Sequence, residues 1–224
     1  MTTEQNNIRL ITLLLTIVAG YCDTATFVGA DRIFSAHVTG NFITFAFQLV
    51  IGSEGDAWLK LLTFPVFVAA VMIGGAIGPR VSNKHFLLFF EGIVITLAGL
   101  LVILANYTAE QDPGFVGYLS TMLVVFAMGL QNAFGKLYAK ETYGPTTMMT
   151  GNVTQAALDF RGLVANRGKN PDINVSFYRQ LIVIGGFLAG CLVGAAVTRH
   201  YGLSVIILPG IMMVSCYLIS KVMR

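Results

Sequence analysis

Six separate stretches of this chain run for about 20 residues with almost no charged side chain, the length a helix needs to cross a bilayer core of about 30 Å. They are Leu10 to Ala30, Leu59 to Gly78, Phe86 to Ala105, Phe115 to Gly135, Leu181 to Thr198 and Leu203 to Ser220. Because they recur from end to end, residues 1–224 read as a single transmembrane domain rather than a soluble domain with an anchor. Only 11% of the residues are charged against 55% hydrophobic, whereas soluble domains carry about 25% charged residues. The first stretch contains Asp23, lacks a small-residue cleavage pattern and is followed by further spans. It is therefore expected to remain as a span rather than act as a signal peptide.

Two further segments are shorter and more polar: His37 to Gly52, which includes Thr39-Gly40-Asn41, and Thr146 to Phe160, which includes Thr150-Gly151-Asn152. Charge decides how to read them. If both cross, the lysines and arginines divide eight against six between the two sides, which is hardly a bias. If neither crosses, Arg9, Arg80, Lys84, Lys136, Lys140, Arg161, Arg167, Lys169, Arg179, Lys221 and Arg224 share the N-terminal side, leaving Arg32, Lys60 and Arg199 opposite. Eleven against three satisfies the positive-inside rule. The predicted fold class is therefore all-α, a polytopic transmembrane helical bundle of six spans plus two re-entrant or broken helices, with both termini cytoplasmic. The alternative is eight spans.

The chain also repeats itself. Gly20-Tyr21-Cys22-Asp23 near the end of the first span is echoed by Gly129-Leu130-Gln131-Asn132 near the end of the fourth, and each precedes a Thr-Gly-Asn by about twenty residues. Gly74 and Gly78 in the second span match Gly190 and Gly194 in the fifth, and Glu91-Gly92 corresponds loosely to Pro209-Gly210. The repeats cover about 8–106 and 114–222. With three crossings per half, the second half enters from the opposite side, a 3+3 inverted repeat; eight spans would make it a 4+4 parallel repeat. Inverted repeats with interrupted helices place a solute site near the midplane, where half-helix ends expose backbone groups and a dipole. Thr39, Gly40, Asn41, Thr150, Gly151 and Asn152, together with Asp23, Gln131 and Asn132, are the expected substrate-binding residues. Threonine and asparagine suit helix caps, and glycine permits sharp turns.

With these residues in order, the chain resembles the YoaK-like family of bacterial integral membrane proteins, a domain of unknown function. The resemblance rests on Gly20-Tyr21-Cys22-Asp23, His37-Val38-Thr39-Gly40-Asn41, Gly129-Leu130-Gln131-Asn132 and Met149-Thr150-Gly151-Asn152, and covers nearly the whole chain. It implies a small protein of the bacterial plasma (inner) membrane and supplies no chemistry.

Ionisable groups inside a bilayer cost about 2.5 to 3.5 kcal/mol each on insertion scales, so each calls for a reason. Asp23 is the leading coupling candidate, with the uncharged Asn132 as its counterpart. Glu91 is a second, with a structural ion pair to Lys84 or Arg80 as the competing reading. His37, two residues before Thr39, is a third because histidine titrates near neutral pH. Asp159 and Gln155 share one helical face, and Asp159 is expected to be a cytoplasmic group capping against Arg161. The glycines Gly74, Gly75, Gly78, Gly185, Gly186, Gly190 and Gly194 are expected to allow close helix packing within or between subunits, which makes a homodimer plausible. Phe27, Phe34, Phe42, Phe45 and Phe47 are read as core or lipid-facing before solute-lining.

Cys22, Cys191 and Cys216 lie far apart, without zinc-site or redox spacing, so no metal or cofactor is expected. No metalloprotease, phosphate-loop or nucleophile-elbow motif occurs, and the chain is not read as an enzyme. The basic residues flank apolar segments, arguing against nucleic acid. The expected partners are the lipid bilayer, a small-molecule solute and protons or cations. Three functions follow: a secondary transporter of a small organic solute, a channel or facilitator whose filter the two Thr-Gly-Asn segments form, or a non-transporting membrane scaffold or sensor.

Overall fold

The computed structural model describes residues 3–52, 57–108 and 113–222. Arg224, counted above toward the basic side, lies outside them. Among the described residues eight α-helices follow in order: α1 (Thr3–Gly29), α2 (Gly40–Ile51), α3 (Ala57–Ile77), α4 (Phe86–Thr108), α5 (Pro113–Leu137), α6 (Met149–Ala165), α7 (Pro171–Tyr201) and α8 (Ile207–Val222). No strand occurs among the described residues. Five of the helices, α1, α3, α4, α5 and α7, are long and apolar enough to cross a membrane. The stretch expected as a sixth span is divided: Gly202 adopts a φ of 70°, Leu203–Ile206 form a 3-10 turn, and α8 follows with 16 residues.

The helices alternate in direction between two ends of the bundle. At one end Ala30, Val102, Val116 and Leu203 pack together beside the Asp31–Lys60 pair. At the other, Asn83 donates to Tyr217, Lys84 pairs with Glu141 at 2.5 Å, and Arg179 stands over the Tyr143 ring. Thus α1, α4 and α7 run toward the first end, and α3, α5 and α8 run back. The 12-residue α2, about 18 Å long at 1.5 Å per residue, does neither. Gln48 near its end donates to Asp31 at 3.1 Å, so the chain from Asp31 dips inward and returns to the end it left. The second polar segment behaves alike at the other end: Glu141 pairs with Lys84, while Asp159 and Phe160 on α6 meet Ser176 and Phe177 on the first turns of α7.

Packing joins helices far apart in the chain. α1 lies against α7, α3 against α5, and α4 against both α5 and α8. Glycine lets three of these pairs approach at backbone distance: Gly99 of α4 sits on Ile207 of α8, Gly190 and Gly194 sit on Ile17 and Tyr21 of α1, and Gly20 sits on the Phe187 carbonyl of α7. Gly129 of α5 faces Phe67 and Ala70 of α3 in the same manner. Gly75 and Gly185, grouped above with the packing glycines, face open space instead. At the centre runs α1, whose Leu15, Val18, Ala19, Cys22 and Ala25 are completely buried. Its buried Thr12, Thr16 and Thr26 turn their hydroxyls onto carbonyls three or four residues back, so that no hydroxyl goes unpaired. Large apolar side chains such as Ile43, Val50, Met72 and Leu192 point outward, as faces covered by lipid would. Phe42 and Phe45 pack on Phe64 and Trp58 of α3, and Phe27 on Phe34. These rings hold the first of the two polar segments against its neighbours.

Candidate functional site

The inward tip of the first segment closes on Asp23. This carboxylate, 4% exposed, accepts the Ala36 N–H at 2.7 Å and the His37 N–H at 3.2 Å through Oδ1, and meets His37 Nδ1 at 2.6 Å through Oδ2. The polypeptide reaches that depth because Asn41 folds it. The Asn41 side chain takes the Phe34 N–H and returns a bond to the Phe34 carbonyl, each at 2.8 Å, and also donates to Thr63 on α3 at 3.0 Å. The descent begins with Asp31 and Arg32 in the left-handed region, φ 45° and 58°, a conformation that strains side-chain-bearing residues. Lys60, almost fully buried, holds that turn by donating to the Asp31 carbonyl and, at 2.9 Å, to its carboxylate. Burial pushes the Asp31 carboxyl up, but the hydrogen bonds from Lys60 and Gln48 outweigh it and hold the group below its usual range.

The second tip has the same plan with neutral groups. Thr147 Oγ1 donates to Asn132 Oδ1 at 2.9 Å, and Gln131 Nε2 donates to Thr146 Oγ1 at 2.7 Å and to the Leu15 carbonyl of α1 at 3.0 Å. Asn152 reaches seven residues back to the Pro145 carbonyl at 2.8 Å, as Asn41 does to Phe34. Pro145 has no N–H, so this loop lacks one bond of the first. α1 is reached beside both tips: Asp23 binds the first directly, and Gln131, which binds the second, donates to the Leu15 carbonyl. Eight residues separate those positions, about 12 Å along the axis.

The residues singled out from the sequence thus divide into pairs rather than one ring. Asp23 meets His37, and Asn132 and Gln131 meet Thr147 and Thr146. Asn41 and Asn152 spend their amides on their own loops, Asn41 also on Thr63 of α3. Thr39 stands at the N-cap of α2 without a capping side-chain bond, and Thr150 lies inside the first turn of α6, so neither caps as expected. Gly40 fits under the Phe34 ring, where an added Cβ would lie 3.1 Å from it, whereas Gly151 faces open space. Glu91 pairs with neither Lys84 nor Arg80. Lys84 is taken by Glu141, Arg80 turns to the Ala76 carbonyl, and both Glu91 oxygens are buried without a partner. Asp159 shares a 2.8 Å bond with Gln155, as their spacing implied, but its second oxygen takes Ser176 Oγ at 2.6 Å rather than Arg161. Thr63, Lys60, Thr146 and Thr147 were missed. Aligning Ser35-Ala36 with Thr146-Thr147, four residues before each repeated Thr-Gly-Asn, would have found the last two. A cleft of about 370 Å³ opens beside the second loop, lined by Tyr143, Asp172, Val175, Ser176, Arg179 and Gln180, and contains none of the expected substrate-binding residues.

Residues 11–219 match the model of DUF1275, a family of proteins of unknown function. The chain belongs to this family. The family match takes in both tips, Glu91 and all the helices except the first turns of α1 and the end of α8. No curated protein and no solved structure matches the chain.

The hydrogen bond from His37 to Asp23 holds the imidazole above the ordinary histidine value of 6.5, against the opposing effect of burial. A raised histidine pKa stabilises the fold fully below the unfolded value, and the contribution is lost as the pH rises through the folded one. Replacing His37 by glutamine should therefore lower the thermal midpoint in detergent most at acidic pH and progressively less toward alkaline pH. A difference between the two proteins that does not vary with pH would sink the ion pair.

Proposed function

We propose that the protein is a secondary transporter of a small organic solute in a bacterial inner membrane, in keeping with its likeness to the YoaK-like proteins. In this reading it has six crossings, a 3+3 inverted repeat and both termini in the cytoplasm. The two re-entrant tips are its gates. The observation that carries the reading is that each tip is latched to an equivalent helix end, one through the charged Asp23–His37 pair and the other through the neutral Asn132–Thr147 pair. Two latches of one plan at opposite ends of a bundle suit alternate opening, and a titratable group in only one of them suits ion coupling. The crossed packing of α1 on α7 and α3 on α5 supports the repeat, since a two-fold axis exchanges these pairs. The cleft at Tyr143 and Arg179 supplies an aqueous approach to the second tip.

The channel reading is less well supported, because the two Thr-Gly-Asn segments lie at the starts of α2 and α6, which enter from opposite ends, and each asparagine is bonded to the loop before its own helix. Flux of a panel of small solutes into proteoliposomes tests the proposal. Uptake that follows a proton gradient and falls at least tenfold in Asp23→Asn is expected. Uptake that ignores both the gradient and the substitution would favour a facilitator, and no uptake of any solute would favour a scaffold or sensor.

A further inference from the structure

Glu91 has no exposed surface, and neither of its carboxylate oxygens has a hydrogen-bond partner. The residues one turn away on its own helix, Leu87, Leu88, Val94 and Ile95, all belong to the apolar core. A bare charge in such surroundings costs several kcal/mol and persists only with a counter-ion or a proton. Its position in the bundle follows from the antiparallel α4–α5 pair. Ser120 of α5 donates to the Ala98 carbonyl, and the His85 ring lies 6.2 Å from that of Phe134. Counting inward from both contacts sets Glu91 opposite Ala127 and Met128, one turn from Gln131, which binds the second tip. On the other side the core residues around Glu91 pack in one cluster with Cys22, the neighbour of Asp23, which binds the first. The carboxyl therefore lies between the two latches.

Other orphaned groups share this region. Gln131 Oε1 and the hydroxyl of Ser35, adjacent to Ala36 on the first tip, are also buried without partners. Titratable groups near Glu91 are few. α1 brings Cys22, flanked by Asp23 and by Tyr21, whose hydroxyl is given to the Val205 carbonyl. α8 brings Tyr217, stacked on Phe89. α5 carries Lys136 near its end, more than two turns beyond Met128, and the Leu203–Ile206 turn carries no ionisable side chain.

We propose that Glu91 is an exchangeable proton-binding site between the two re-entrant tips, and that this proton is the coupling ion of the transporter described above. Only the second clause rests on that reading. The step is a protonation: one carboxylate oxygen takes a proton from water admitted past one open tip and returns it to water past the other. Only an O–H bond forms and breaks. Asp23, whose oxygens are already engaged, takes part in coupling as the latch of the first tip, while the transported proton rides on Glu91.

Carbodiimide labelling tests the site without a known solute, because dicyclohexylcarbodiimide attacks protonated carboxyls in apolar surroundings. The full chain in detergent is treated over a pH series, and the modified residue is located by peptide mass spectrometry. Label at Glu91 should fall at least tenfold across about three pH units, be unchanged by sodium, and vanish in Glu91→Gln. The same label at every pH would mark a permanently neutral packing group and overturn the proposal. Label displaced by sodium at fixed pH, or none at Glu91 under acid conditions, would also overturn it. Failure of Glu91→Gln to fold leaves the wild-type pH series decisive. Liposome flux separates the two clauses. A pH-dependent label with no flux of any solute leaves the proton site and removes the coupling role. Proton-driven flux unchanged in Glu91→Gln leaves the transporter and removes Glu91 from it.

Discussion

Gly190→Val should leave little folded protein in the membrane, whereas Gly185→Ala, five residues away on the same helix, should accumulate normally. A Cβ built at Gly190 overlaps the Ile17 carbonyl oxygen and lies 2.9 Å from the Tyr21 nitrogen. Both are backbone atoms of α1 and cannot turn aside as a side chain would. Gly20 presses on the Phe187 carbonyl in return, so α1 and α7 would have to separate along their whole contact. Overpacking a well-filled core costs about 1 to 3 kcal/mol, and more where backbone must move. A loss on the order of 3 kcal/mol is a large share of the roughly 5 to 15 kcal/mol that holds a typical domain. At Gly185 nothing lies within 4 Å, and alanine there improves helix propensity by about 0.8 to 1.0 kcal/mol. Size-exclusion profiles and thermal midpoints of the two variants in detergent check this. Equal behaviour would mean that close backbone approach does not hold α1 to α7.

Asn41→Leu should release the first tip and cost about 3 kcal/mol. Leucine has a similar volume but removes the acceptor for the Phe34 N–H and the donors to the Phe34 carbonyl and Thr63 Oγ1. Backbone groups buried without partners carry a penalty of about 1 to 3 kcal/mol each, and here water has poor access to repair them. Asn152→Leu should cost less, about 1 to 2 kcal/mol, because Pro145 offers no N–H to be stranded and the lost bonds go to the Pro145 and Met148 carbonyls. Hydrogen exchange separates the two variants. Amides at Phe34, Ala36 and His37 should exchange at least tenfold faster in Asn41→Leu and be unaffected in Asn152→Leu. Unchanged exchange in the first would show that the tip is held by Asp23 alone.

The long apolar helices, the all-helical fold and the two shorter polar segments were legible in the sequence, because each rests on local counts of apolar and polar residues. Glu91 was equally legible as an anomaly, but its lack of a partner was not: Lys84, seven residues back, is taken by Glu141, 57 positions along the chain. The Thr-Gly-Asn copies marked the starts of α2 and α6 without indicating what their asparagines bond. Nothing in a tripeptide says that its asparagine will bond to a carbonyl seven residues earlier rather than to a solute. Likewise, Gly75 and Gly190 look alike in sequence, and only the neighbouring helix distinguishes open space from a backbone contact.

By itself, then, the sequence determined which segments form long apolar helices and which two are shorter and more polar, because hydrophobic length and polarity are properties of the chain read in one dimension. Tertiary structure alone decided that Asp23 is latched by Ala36 and His37, that Asn132 is latched by Thr147, and that Glu91 is left without a partner between them. Those outcomes depend on which groups from distant segments reach the same buried volume, where each donor or acceptor can be used by only a few neighbours and no water is at hand to satisfy the remainder.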